Sequence, residues 1–363
     1  NRVQLVDGSA GQQEHDCHVV DNKKPILTAF DLDVSRTLYV QLALTFDETM
    51  NTAFDLTDVL SPVVTIDPTQ ITFVGDGETY PLTGIQSVQL VDVASTFIIM
   101  MELTEFDSNE VKKLTKLATE KADTAILITA DLAADMYNNA VTAIEVGFAL
   151  NVTTYTPDAT TPSLLLYTLD MDAETLTLTF SETVHQESLV IGDVVLQATA
   201  SSTLKNRPLT SVPEGTVAEE IKMWSRVIST TAATEIVVQI GKHDLNNLKL
   251  QVGLADNKET TYLSMATGAI KDMVGLDVDG ISDSAAQPAD QYKDDDTNPI
   301  MTSFQLDMTA ETLTLNFDET VSSASLDPQQ ITLRNHQSSA SSTFSLTDDV
   351  SRTGDGTTIV LTL

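Results

Sequence analysis

From Thr175 to Phe180 the chain alternates strictly, with Leu176, Leu178 and Phe180 on one side and Thr175, Thr177 and Thr179 on the other. A period of two with threonine on the polar side predicts a half-buried β-strand. Leu313, Leu315 and Phe317 repeat the pattern. Further strands are predicted over 70–74, 97–103, 235–240, 261–265 and 358–363. Clusters of Gly, Asp, Pro and Ser separate them, as in GDGE at 75–78 and GDGT at 354–357. One segment changes period. In DSNEVKKLTKLA (107–118), Val111, Leu114, Leu117 and Ala118 recur at helical spacing. Asp107 is placed to cap this helix, with Glu110 at the third position of a capping box. DLNNLKLQVGLA (244–255) is its counterpart, with Asp244 as the cap.

The pattern is periodic on a larger scale. Pro25, Pro162 and Pro299 stand 137 residues apart, and so do Asp33, Asp170 and Asp307. Each proline opens the same text: PILTAFDLDV, PSLLLYTLDMDAETLTLTFSETV and PIMTSFQLDMTAETLTLNFDETV. Glu48, Glu182 and Glu319 close its second strand in FDET, FSET and FDET. Asp107 and Asn109 answer Asp244 and Asn246, and Asp135-Met136 answers Asp272-Met273. A period this long is a repeated domain, not a short solenoid unit. Complete repeats are expected over 22–158 and 159–295, and the first half of a third over 296–363. NRVQLV at 1–6 resembles NAVTAI at 139–144, so residues 1–21 read as the tail of a preceding repeat. The chain thus reads as a piece of a longer array. Half a sandwich is expected to expose an apolar face and open strand edges.

Composition narrows the partners. Nineteen Lys and Arg against 53 Asp and Glu give a net charge of −34. The few basic residues form no patch, which argues against nucleic acid and anionic membranes. The charge favours solubility and gathers cations. No apolar run reaches the roughly 18 residues of a membrane span. The one cysteine, Cys17, forms no intrachain disulfide. An interchain disulfide in an oxidising medium is its alternative use. No nucleophile elbow, zinc-protease helix, phosphate loop or dinucleotide fingerprint occurs, so no enzyme is expected.

The run LDMDAETLTLTFSETV, with a later strand and the Asp-Met pair near the repeat's end, resembles the immunoglobulin-like repeats of large surface proteins. The bacterial S-layer type is the nearest pattern, opening on proline and running to a strand that ends Thr-Phe-Ser-Glu. The chain departs from that pattern at the closing turn, which reads DMYNNAV at 135–141 and DMVGLDV at 272–278. Similar repeats occur in surface proteins of aquatic microbes, including algae. The resemblance implies an all-β chain of tandem immunoglobulin-like β-sandwich domains, each here with one short inserted helix. It also implies an extracellular or cell-surface setting. Asp294-Asp295-Asp296-Thr297-Asn298-Pro299 is similar to the acidic calcium linker of cadherins.

Candidate sites follow from these segments. Calcium needs six to eight oxygen ligands. Asp294, Asp295, Asp296 and Asn298 offer some, with Asp277, Asp279 and Asp290 upstream and Glu319 approaching from the next repeat. Two lysines beside Pro25 disfavour a cation at the first linker. Glu48, Glu182 and Glu319 either bond turn amides or reach a cation between repeats. Asp135 and Asp272 are expected to shape turns through Asx-type bonds. Glu14-His15-Asp16-Cys17-His18 is the one dense group of soft ligands and falls short of the four that zinc needs. Asn151-Val152-Thr153 is an N-glycosylation sequon, so a glycan is expected there if the chain is secreted by a eukaryote. The expected function is a structural segment of an extracellular filament, appendage or stalk, assembling head-to-tail or laterally with copies of itself. The alternatives are a calcium-dependent adhesin and a carbohydrate-binding array. Aromatics at 5% weigh against the latter.

Overall fold

The computed structural model describes residues 21–36, 38–51, 66–93, 96–347 and 350–363. The expected tail of a preceding repeat and the cluster around Cys17 lie outside the described residues. The chain forms two compact units, residues 1–160 and 161–363.

In the first unit, one sheet has the order Ile85–Val93, Thr96–Leu103, Gln41–Phe46, Leu27–Asp33, Thr154–Thr156. All its pairs are antiparallel except the last, where Asp31–Asp33 run parallel to Thr154–Thr156. A second sheet orders Thr79–Pro81, Ile71–Val74, Ala125–Ile128 and Leu150–Asn151. Phe30, Leu32, Leu42, Leu44, Ile99 and Met101 of the first sheet pack with Ile71, Phe73 and Ile126 of the second in one core. The alternation that predicts the strands therefore selects the face that is buried.

The second unit repeats this plan. Arg226–Val227, Ala233–Gln239, Thr175–Val184, Leu164–Asp170 and Gln291–Lys293 form one sheet. Its closing pair is again parallel, Thr168–Asp170 with Gln291–Lys293. Ser202–Pro208, Val194–Thr199, Tyr262–Met265 and Gln287–Pro288 form the other sheet. Tyr167, Leu176, Leu178, Phe180, Leu196 and Leu263 share its core. The period-two reading of 175–180 holds, with Leu176, Leu178 and Phe180 buried and the threonines between them half-buried.

The third repeat, in the same unit, is built from fewer strands. Met301–Asp307, Thr312–Val321, Gly356–Thr362 and Ser351–Arg352 make a sheet, and Thr332–Arg334 pairs with Thr343–Ser345. No strand among the described residues lies beside Met301–Asp307 on its outer edge. Phe304 is 60% exposed, whereas Phe30 and Tyr167, its counterparts, are at 0%.

The recurrent aspartates after each first strand act locally. Asp33 accepts from the Ser35 amide, Asp170 from Asp172 and Ala173, and Asp307 from Thr309 and Ala310. Each carboxylate ends its strand by satisfying the amides of the turn.

Among the described residues, each complete repeat carries one α-helix, α1 (Glu105–Lys113) and α2 (Lys242–Leu250). The expected caps are wrong by three residues. Thr104 caps α1, accepting from the Asp107 amide at 3.0 Å, and Asp107 lies inside the first turn. The helix also stops before Leu117 and Ala118, which are buried beyond its end. In α2 the cap position is Gly241. A Cβ there would stand 2.3 Å from the Trp224 carbonyl carbon, so only glycine fits so close to that backbone. The aspartates are diverted because their carboxylates pin neighbouring loops. Asp107 accepts from Tyr80 Oη, the Thr83 amide and hydroxyl, and the Gly84 amide. Asp244 accepts from Arg207, the Thr210 amide and hydroxyl, and Ser225 Oγ.

Candidate junction site

Pinned in this way, α2 presents Asn246 and Lys249, three residues apart and hence on one face. Both reach the third repeat. Asn246 Oδ1 accepts from the Thr320 amide at 2.9 Å and from its hydroxyl at 3.0 Å. Lys249 Nζ donates to Asp295 at 2.5 Å and to Glu319. The Lys249 side chain is 15% exposed, and those of Asp295 and Glu319 are 23% and 10% exposed. Asp295 also accepts from the Thr297 amide at 3.0 Å, which fixes the linker around it. One ammonium is therefore shared by a linker carboxylate and a strand-end carboxylate, beside a neutral amide-to-threonine clasp.

Burial is the largest influence on Lys249 and opposes its charge, but the bonds to Asp295 and Glu319 outweigh it and hold the pKa above 10.5. Burial likewise pushes Asp295 upward, and the bonds from Lys249 and Thr297 bring it below 3.8. The signs define a window. The lysine's contribution is complete below 10.5 and disappears as pH rises through its folded value. The aspartate's contribution is present above 3.8 and disappears as pH falls through its folded value. The stability advantage of the native chain over a Lys249→Met variant is thus expected to be flat from about pH 5 to about pH 9 and to shrink below about pH 4. Paired thermal melts across pH check this, and a difference that peaks in acid would contradict it.

The same residue types stand 137 positions earlier in the sequence: Asn109, Lys112, Asp158, Glu182 and Thr183. Lys112 Nζ lies 2.9 Å from Asp158, with both side chains almost fully buried. The next counterparts towards the N-terminus are Asp21, Glu48 and Thr49. Asp21, Glu48 and Asp135 bring carboxylate oxygens within 4.8 Å of one another. Asp135 is anchored as the turn reading expects, accepting from the Tyr137 and Asn139 amides and from Asn139 Nδ2. Burial raises the Glu48 pKa; Lys23 opposes that shift, and the charges of Asp47 and Asp21 add to it.

Of the calcium candidates, the structure brings together Asp295 and Glu319, on Lys249. Asp294, Asp296 and Asn298 are exposed. Asp277 pairs with Lys271, and Asp279 accepts from Thr161. Asn151 lies on the edge strand Leu150–Asn151, not in a loop, and is exposed while Val152 beside it is buried. The sequence signal for Lys112 and Lys249 is the repeated Asp-x-Asn-x-x-Lys, which sets a lysine about one helical turn after each asparagine.

No family model and no curated protein matches the chain. Among solved structures, the S-layer protein SbsC aligns over 93% of this chain at 10% identity, with a TM-score of 0.23. Its domains 1–6 align at 8% identity and the same TM-score. The chain spans 50% of the length of each of these structures. A three-immunoglobulin fragment of titin aligns over 93% of this chain and 85% of its own length, at 7% identity and a TM-score of 0.15.

Proposed function

We propose that this chain is a structural segment of an extracellular filament, appendage or cell-surface stalk, assembling in series with copies of its own repeat. The observation that carries the reading is the clasp made by Asn246 and Lys249 on Thr320, Asp295 and Glu319. A flexible linker needs no such contacts. A helix that grips the linker and first hairpin of the next repeat limits bending there, which is what a load-bearing array requires. Among the described residues no helix is long and apolar enough to cross a membrane. Negative-stain microscopy in native salt tests the assembly, with extended filaments as the expected result. Monodisperse short particles would refute polymerisation.

The group formed by Asp21, Glu48 and Asp135 favours a second reading, a calcium-stiffened adhesin. Isothermal titration separates the two. Heat at millimolar calcium, with assemblies that loosen in EDTA, supports the adhesin, and indifference to both supports the plain structural reading.

A further inference from the structure

We propose that the leading face of the first repeat, formed by Asp21, Glu48, Thr49 and Asp135, is a socket for the Asn-x-x-Lys helix face of another copy of this repeat. Its lysine ammonium would enter among the three carboxylates. The inference extends the reading of serial assembly to a named pair of surfaces.

The third repeat shows what such a face does when a helix meets it. Asp295, Glu319 and Thr320 are the counterparts of Asp21, Glu48 and Thr49, and they take Lys249 and Asn246. Among the described residues, no helix lysine reaches the same positions on the first repeat, where Glu48 pairs only with Lys23. Thr49 is exposed, whereas Thr320 is half-buried under Asn246. Oε1 of Glu48 is buried and receives no hydrogen bond from the described residues. Asp135, 2% exposed, adds a third carboxylate whose position the Tyr137 and Asn139 amides set. Lys23 is the basic group at the rim. It bonds to Asp47 at 2.6 Å, stays 3.5 Å from Glu48, and is 57% exposed. It screens the socket without filling it, and neither the second nor the third repeat has a lysine there, since Thr160 and Thr297 stand in its place.

A lysine is favoured over a metal ion for two reasons. Both complete helices carry the Asp-x-Asn-x-x-Lys pattern, at 107–112 and 244–249. The carboxylate pair whose occupant the structure displays in the third repeat holds an ammonium.

Two experiments test this. In the unaltered chain, Glu48→Gln should raise the melting temperature of the first repeat by a few degrees, because it relieves a carboxylate cluster short of a cation. Glu319→Gln, at the filled counterpart, should lower that of the third repeat. Glu48→Gln destabilising its repeat as Glu319→Gln does would mean that Lys23 already closes the site, and would overturn the proposal. For the second, a copy of residues 159–294 is joined ahead of Asp21 in place of residues 1–20. Hydrogen exchange around Glu48 and Thr49 should slow by about tenfold, and Lys249→Met in the added copy should abolish that gain. Exchange left unchanged by the added copy, or slowed equally with Lys249→Met, overturns the proposal. So does slowing by millimolar calcium chloride with no response to the added copy. The contact is made within one fused chain, so it stands or falls separately from the filament test above.

Discussion

Lys249→Met is expected to weaken the hold of the second repeat on the third by about 3 kcal/mol, the scale of removing one partner from a largely buried ion pair. The cost comes less from the lost attraction than from what remains. Asp295 and Glu319 would face each other with no cation between them, each desolvated by the surrounding chain. The loss should appear as earlier urea unfolding of the third repeat, whose own core is small: Leu313, Leu315, Leu346, Ile359 and Leu361. Segment-resolved hydrogen exchange in urea is the appropriate measurement, because a chain of several domains does not unfold in one step. Adding Asp295→Asn and Glu319→Gln to Lys249→Met should recover most of the loss, since no uncompensated charge is then left. A single-variant effect under about 0.5 kcal/mol would place the cluster with ordinary surface pairs and remove the basis for a stiff junction.

The second large effect is expected at the aspartates that anchor the helices. Asp244 is fully buried and accepts from Arg207 at 3.2 Å, the Thr210 amide at 2.7 Å and Ser225 Oγ at 2.7 Å. Asp244→Ala strands a partly buried guanidinium and the Thr210 and Ser225 donors beside it. That should destabilise the second repeat by about 4 kcal/mol, within the range for breaking a buried charged network. Asp107→Ala should cost the first repeat somewhat less, about 3 kcal/mol, because its partners Tyr80, Thr83 and Gly84 are neutral. Far-ultraviolet circular dichroism in urea reports both. The variants also separate folding from linkage. In mild conditions Asp244→Ala should release Thr320 to hydrogen exchange while the third repeat's own sheet stays protected, because Asn246 and Lys249 lose their fixed platform. Retained protection at Thr320 would show that the helix needs no anchor at Asp244 to make its clasp.

Much of this architecture is legible in the chain. Alternation over 175–180 and 312–317 locates the paired strands, and the 137-residue interval identifies the repeated unit. Asp170 and Asp307 follow their strands closely enough for their turn bonds to be local. The helices are legible in existence but not in phase. Asp107 looks like a cap because cap preferences describe an isolated helix end, where a carboxylate has only its own amides to satisfy. Here Tyr80, Thr83 and Gly84, distant in sequence, compete for it and Thr104 takes the cap.

What the sequence determines by itself is whatever depends on neighbours along the chain: strand period, turn aspartates and the repeat length. The candidate site depends on partners tens of residues apart. In the run Asp294-Asp295-Asp296 three like residues stand together, and in the sequence they look equivalent. An extended backbone sends successive side chains to opposite sides. Only Asp295 turns inward to Lys249, 46 residues earlier, while Asp294 and Asp296 face solvent. Which carboxylate acquires a counter-charge was therefore decided by the packing of α2 against the next repeat, where desolvation makes one shared ammonium more favourable than three independently hydrated charges.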